Sequence, residues 1–229
     1  LTTHADKGEG YASHARDVSD ISVSALYGSV YDEWLKAMRP SDKDTRILDV
    51  ELDGPLVTGT GNASVIDFGI TLHPTYGVPY IPGSGIKGMC RRAAHDPYNV
   101  NGDKLTLEQI TVLFGSTDDK APDRGYITFW DAWLKPGQAK PLQQDILTPH
   151  HPEYQATGTV WPSPSDDPNP IPFLSVKPGT RFTFALSSPE APEFLPLAEK
   201  ILWYALEMYG VGAKTNVGYG RASRPEEDR

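Results

Sequence analysis

The residues able to do chemistry gather in two short stretches. The first is Pro82-Gly83-Ser84-Gly85-Ile86-Lys87-Gly88-Met89-Cys90-Arg91, where a Pro-Gly-Ser turn leads into a helix. Ile86, Met89, Cys90, Ala93 and Ala94 recur at helical spacing and form one apolar face. The first turn of a helix leaves backbone N–H groups unpaired at the positive end of the helix dipole, and anions bind there. Gly83 and Gly85 permit close approach to the backbone, Ser84 adds a hydroxyl, and Lys87 sits in the first turn with Arg91 one turn on, on the same side. No acid lies between Ile81 and Ala94, so the pattern predicts a phosphate site. An ordinary helix start with solvated cations has the same shape.

The second stretch is Gly210-Val211-Gly212-Ala213-Lys214-Thr215-Asn216-Val217-Gly218-Tyr219-Gly220-Arg221. It holds four glycines, two cations and no acid in twelve residues, a density that an ordinary connector seldom needs. Gly210, Gly212, Gly218 and Gly220 permit left-handed backbone and close ligand approach, and successive amides in such a loop can cradle an anion. Lys214 and Arg221 supply charge, Tyr219 can stack on a base, and Thr215 and Asn216 complete the candidate contact set.

Other reactive residues form no comparable group. Asp145 with the adjacent His150-His151 invites a metal reading, but neighbouring residues on a strand face opposite ways and prolines 149 and 152 bracket the pair. His73 and His95 have no nucleophile partner in sequence, and Cys90 falls on an apolar stripe, as a core residue would. No catalytic set, metal site or cofactor is therefore expected.

The elements that must carry these stretches read as α+β with a mostly antiparallel sheet. Residues 1–19 are polar and glycine-bearing and predict a loose segment. Helical spacing of Ile21, Leu26, Val30, Trp34, Leu35 and Met38 predicts a helix over 20–38. Strands are expected at 46–52, 68–72 and 125–134, and a short helix at 106–114 with Thr106 as its cap. Residues 152–172 contain six prolines and predict an extended excursion suited to docking on a partner or to a plain surface loop. Residues 173–186 read as a hairpin around Lys177-Pro178-Gly179-Thr180, with Val176, Phe182 and Phe184 buried. Residues 195–209 give the clearest helix, striped by Leu195, Ala198, Ile201, Leu202, Ala205 and Tyr209, and 222–229 an acidic, frayed tail.

Composition narrows the function classes. With 229 residues, 38% hydrophobic, the chain can bury the core of a single domain spanning 1–229. No apolar run has membrane-spanning length, and residues 1–6 carry no apolar signal core. One cysteine excludes a disulfide framework and predicts a cytoplasmic setting. A formal charge of −9 opposes tight, independent binding to nucleic acid and suits a subunit that meets RNA within an assembly.

The stretches 76–88 and 210–221 resemble the two motifs of RAMP proteins: a Pro-Gly-Ser turn leading into a Lys-Gly helix start, and a C-terminal glycine-rich loop. Between them, Ile127-Thr128-Phe129-Trp130-Asp131-Ala132 and residues 145–154 resemble the family of the sixth subunit of the Cmr (type III-B) CRISPR effector complex. Two positions depart from the pattern: Gly85 stands where a second serine is usual, and Gln155 where a second aromatic often follows Tyr154. The resemblance implies a ferredoxin-like (RRM-like) RAMP core with long insertions. It implies a non-catalytic subunit of an antiviral RNA-targeting complex, bound to CRISPR RNA near its 3′ end. Its partners would be other Cmr subunits and, indirectly, target RNA. Two rivals follow from the same residues. One is a metal-independent CRISPR RNA-processing endoribonuclease built on His73, Lys87 and Lys214; the other is a nucleotide-binding enzyme using the glycine loops.

Overall fold

The computed structural model describes residues 4–39, 43–61, 69–96, 104–116, 118, 120, 122–148, 154, 157–159, 161 and 170–225. Its centre is an antiparallel sheet. Strand β1 (Thr45–Leu52) lies between β7 (Arg181–Ser187) and the two-residue β8 (Ala222–Ser223). Beyond β7 come β3 (Thr128–Phe129) and β4 (Ala132–Leu134), and β2 (Tyr80–Ile81) pairs outside β4. Helix α3 (Gly83–Ala94) follows β2, and α5 (Leu195–Met208) follows β7. The core therefore reads β1–α3–β4–β7–α5–β8 with spatial order β4-β7-β1-β8, which is the ferredoxin-like βαββαβ arrangement.

Alternation along β1 and β7 decides the two faces. Val50 opposes Phe182 and Leu48 opposes Phe184, while Asp49 opposes Thr183 and Glu51 opposes Arg181. The apolar face packs under α3 and α5, where Ile86, Met89, Cys90, Ile201, Leu202 and Ala205 are buried with Phe182 and Phe184. The stripe expected on α3 is thus the buried one, and so is that on α5 apart from Tyr209, which is half-buried. Helix α4 (Leu107–Phe114) begins in a capping box between Thr106 and Gln109, as its sequence predicts.

The polar face is covered by α2 (Ala25–Met38), and the expected stripe holds only in part: Trp34 and Leu35 pack against the core. Tyr27 and Tyr31 are buried, whereas Ile21 and Leu26 are both 65% exposed. The aromatic rings win because each hydroxyl finds a partner. Tyr27 Oη donates to Leu134 O at 2.7 Å, and Tyr31 Oη meets Thr183 Oγ1 at 2.6 Å. Thr183 in turn donates to Asp49 at 2.8 Å, and Lys135 pairs with the same carboxylate. Trp34 stacks on Trp133 at 5.1 Å between centroids, closing an aromatic cluster with Tyr27, Tyr76 and His73.

Five further expectations change. The N-terminal segment is not loose: α1 (His4–Ser19) is helical and packs on a second sheet, with Ala15 and Leu174 buried together. That sheet joins β5 (Leu142–Leu147) to β6 (Ile171–Val176). Consequently 173–186 is not a hairpin. Its turn hands the chain from β6, paired with β5, to β7, paired with β1, β3 and β4. Among the described residues of 68–72 there is only one bridge, Leu72 to Pro79, and 125–134 splits into β3 and β4. Within 222–229 the first two residues are strand β8 rather than tail, and 226–229 lie outside the described residues. Most of 152–172 also lies outside them, although Ile171 and Pro172 belong to β6 and Trp161 is 87% exposed.

Candidate nucleic-acid interface

The start of α3 is set by its contact with the β3–β4 link. A Cβ on Gly83 would lie 2.2 Å from Phe129 O and 2.9 Å from the Trp130 carbonyl carbon, so glycine is needed for packing at this position rather than for anion approach. The Gly83 N–H donates to Asp131 Oδ1 at 2.7 Å. The helix start, free of acids in sequence from Ile81 to Ala94, thus receives one from 48 residues away, which occupies its first amide. Gly85 N and Ile86 N both turn back to Pro82 O, at 2.9 and 3.1 Å. What remains outward is narrower than the sequence implies: Ser84 and Gly85 are exposed, the space beyond Gly85 is open, and Lys87 is half-buried. Arg91 is committed elsewhere, donating to Gly115 O at 2.8 Å and tying α3 to the end of α4.

The C-terminal loop is not a flexible connector. Val211 N donates to Gly220 O, Ala213 N to Val57 O and Gly220 N to Pro55 O, at 2.7–2.8 Å. Any Cβ at Gly210, Gly212 or Gly220 would meet backbone at 2.8 Å or less, and all three have positive φ. Of the four glycines, Gly218 alone faces open space. Thr215, Asn216 and Val217 form one 3₁₀ turn, with Asn216 exposed, and Arg221 donates from Nη1 to Glu207 O at 2.8 Å.

Two side chains pin this loop to the second sheet. Lys214 adopts a left-handed φ of 59° and places its Nζ 4.4 Å from the Phe173 ring centre and 5.1 Å from that of Tyr219. Tyr219 Oη donates to Asp145 Oδ2 at 2.5 Å. Burial, then the bond to Asp145, raises the Tyr219 hydroxyl pKa to about 12. Asp145 and Phe173 are direct cross-strand partners of β5 and β6, so one pair of neighbours holds both loop residues. Sequence reading missed Phe173 and Asp131 as supports, and met Asp145 only beside His150 and His151, where it set the metal reading aside. Among the described residues no group of three metal-ligand side chains occurs, and His150 and His151 lie outside them.

The two motifs do not form one patch. Gly83 lies beside Phe129, which pairs with Leu186 and through it with Arg46. The loop meets the other end of β1, where Asp53 N donates to Arg221 O and Gly218 O approaches Gly54. Seven residues of strand separate these levels, on the order of 20 Å. His73 sits apart from both, its Nδ1 accepting from Thr75 N at 3.2 Å, with Tyr76 and Trp133 against the ring. Cys90 is fully buried and its thiol pKa is pushed far up by desolvation. His95 is exposed at the end of α3.

A sequence profile of the RAMP superfamily matches residues 49–223. The chain belongs to the RAMP superfamily. The match runs from β1 to β8, so this RAMP protein carries the ferredoxin-like core, the β5–β6 insertion and both motifs within the matched span. It is 31% identical to CRISPR system Cmr subunit Cmr6 of Pyrococcus furiosus, over 72% of this chain and 64% of that protein. It is 26% identical to Cmr subunit Cmr6 of Saccharolobus solfataricus, over 68% of this chain and 48% of that one. The chain therefore spans less than two thirds of the length of either relative. A chain in the cryo-EM structure of type III-B Cmr-beta bound to cognate target RNA shares the fold. Its TM-score is 0.70 at 20% identity, covering 98% of this chain and 76% of that one.

Proposed function

We propose that this RAMP protein is the Cmr6-type subunit of a type III-B Cmr effector complex in the cytoplasm and holds CRISPR RNA near its 3′ end without cleaving it. The observation that carries the reading is the pinned C-terminal loop. A glycine-rich segment with two cations is folded against β5, β6 and residues 55–57, and leaves Asn216, Val217 and Gly218 toward the outside. A rigid loop loses little entropy when a ligand binds. The similarity to two relatives named as CRISPR system Cmr subunit Cmr6 supports the reading. The charge of −9 fits RNA contact within an assembly, with target RNA reached through neighbouring Cmr subunits. The second RNA contact is the outward side of the α3 start, at Ser84, Gly85 and Lys87.

The endoribonuclease reading would need His73, Lys87 and Lys214 around one ribose. His73 packs in the aromatic cluster at the β2–β4 edge, and Lys214 lies against Phe173 beyond the far end of β1, so these three do not converge. Purification of a tagged chain from cells carrying the Cmr operon tests the proposal. Co-purification of CRISPR RNA with RAMP-type partners is expected. Cleavage of repeat RNA by the chain alone, lost on His73→Ala, would instead establish the endoribonuclease.

A further inference from the structure

Asp145 stands on β5, outside both glycine motifs, yet its carboxylate takes the hydroxyl of the loop's one tyrosine at 2.5 Å. Its cross-strand partner Phe173 is 1% exposed and supplies the ring over which Lys214 lies. Lys214 also covers one face of Tyr219, at 5.1 Å. Hydroxyl and one ring face are therefore both fixed, and the Tyr219 ring has one orientation rather than the free swing of a surface tyrosine. Gly218, immediately before it, borders open space.

From this geometry we infer that Asp145 is the positioning residue for Tyr219, holding its ring so that the face opposite Lys214 stacks on an unpaired base of single-stranded RNA. The inference rests on the RNA-binding reading of the loop and adds to it what Tyr219 itself would meet: the face of a base. Three physical effects act together. A phenol donating to a carboxylate becomes more electron-rich, which strengthens its attraction for the Lys214 ammonium. A ring already fixed in two directions gives up little freedom when a base settles on it. Stacking on an aromatic face accepts any base, because every base has a π-face, so this contact selects single-stranded RNA without selecting sequence. The β5–β6 insertion thereby acquires a role in RNA binding through Asp145 and Phe173, which act on the loop and not on RNA.

Photo-crosslinking in the assembled complex tests the idea, because the yield at position 219 depends on base stacking and not merely on a folded loop. The full chain, as wild type, Asp145→Ala, Tyr219→Phe or the double variant, is assembled with CRISPR RNA and its Cmr partners, irradiated and mapped by mass spectrometry. Asp145→Ala and Tyr219→Phe should each lower the crosslink at 219 about three- to tenfold, the range expected for one lost hydrogen bond. The double variant should fall no further than either single one, since both remove the same bond. If Asp145→Ala perturbs the loop fold, Tyr219→Phe still decides, because it keeps the ring and removes only the hydroxyl. A wild-type crosslink at 219 that persists at full yield in Asp145→Ala and Tyr219→Phe overturns the positioning role and leaves the RNA-binding reading standing. No crosslink at 219 in the wild type, with crosslinks elsewhere on the chain, overturns the base contact itself.

Discussion

Gly83 and Gly85 stand two residues apart on α3, yet replacing each by alanine should have opposite effects. A Cβ at Gly83 would sit 2.2 Å from Phe129 O, a backbone atom held by the pairing of β3 with β7. Relief requires the helix start to retreat, which stretches the Gly83 N–H bond to Asp131. Overpacking against backbone costs about 1–3 kcal/mol, and losing a hydrogen bond to a charged acceptor costs about 1.5–3 kcal/mol. For a chain of this size each kcal/mol moves Tm by about 2–4 °C, so Gly83→Ala should melt about 5–24 °C lower. At Gly85 a Cβ meets nothing within 4 Å, and a helical alanine gains up to about 1 kcal/mol over glycine, so Gly85→Ala should melt slightly higher. Far-UV circular dichroism melts of the two purified variants make the comparison. Gly83→Ala as stable as wild type, or Gly85→Ala the less stable of the two, would refute the packing argument. RNA retention gives a second readout: if RNA backbone comes close to Gly85, its alanine variant holds RNA more weakly while folding better.

Tyr31→Phe removes the hydroxyl that meets Thr183 under α2 and should cost about 0.5–1.5 kcal/mol, seen as a lower urea midpoint with an unchanged slope. Gly220→Ala would put a Cβ 1.8 Å from Val211 O at φ +67° and should open the C-terminal loop, read as faster proteolysis between residues 210 and 221. Tyr219 should titrate near pH 12, above the ordinary value of 10.0, and Asp145→Asn should bring it down. Because the folded pKa is raised, the stability that the neutral hydroxyl contributes is present below about pH 10 and lost as pH rises toward 12; tyrosinate absorbance and unfolding free energy against pH check both parts.

Local signals in the sequence carried as far as single helices. The stripes of α3 and α5 and the Thr106 cap could be read directly because each depends on residues within one or two turns. The two most buried residues of α2, Tyr27 and Tyr31, could not, since their polar ends are satisfied by Leu134 and Thr183, more than 100 residues away. Helix α1 carries Gly8 and Gly10 and few apolar residues, and owes its place to packing on β5 and β6. At Lys177-Pro178-Gly179-Thr180 the sequence shows a turn but not which partner each flanking strand takes, and the two strands enter different sheets. In the candidate site the motifs were visible and their supports were not. Asp131 reaches Gly83 across 48 residues and Asp145 reaches Tyr219 across 74, contacts that only the tertiary fold creates. The same fold sets the two cationic motifs at opposite ends of β1, a separation that no local pattern shows.

On the proposed function Lys87 and Lys214 each meet an RNA phosphate, and the salt dependence of CRISPR RNA binding counts such contacts. Complexes assembled with wild type, Lys87→Ala, Lys214→Ala or the double variant are titrated with CRISPR RNA over a range of salt concentrations. Each lost phosphate contact should lower the slope of log affinity against log salt by about 0.7, and because the two sites lie at opposite ends of β1 the losses should add. A double variant with the wild-type slope would mean that neither lysine meets an RNA phosphate.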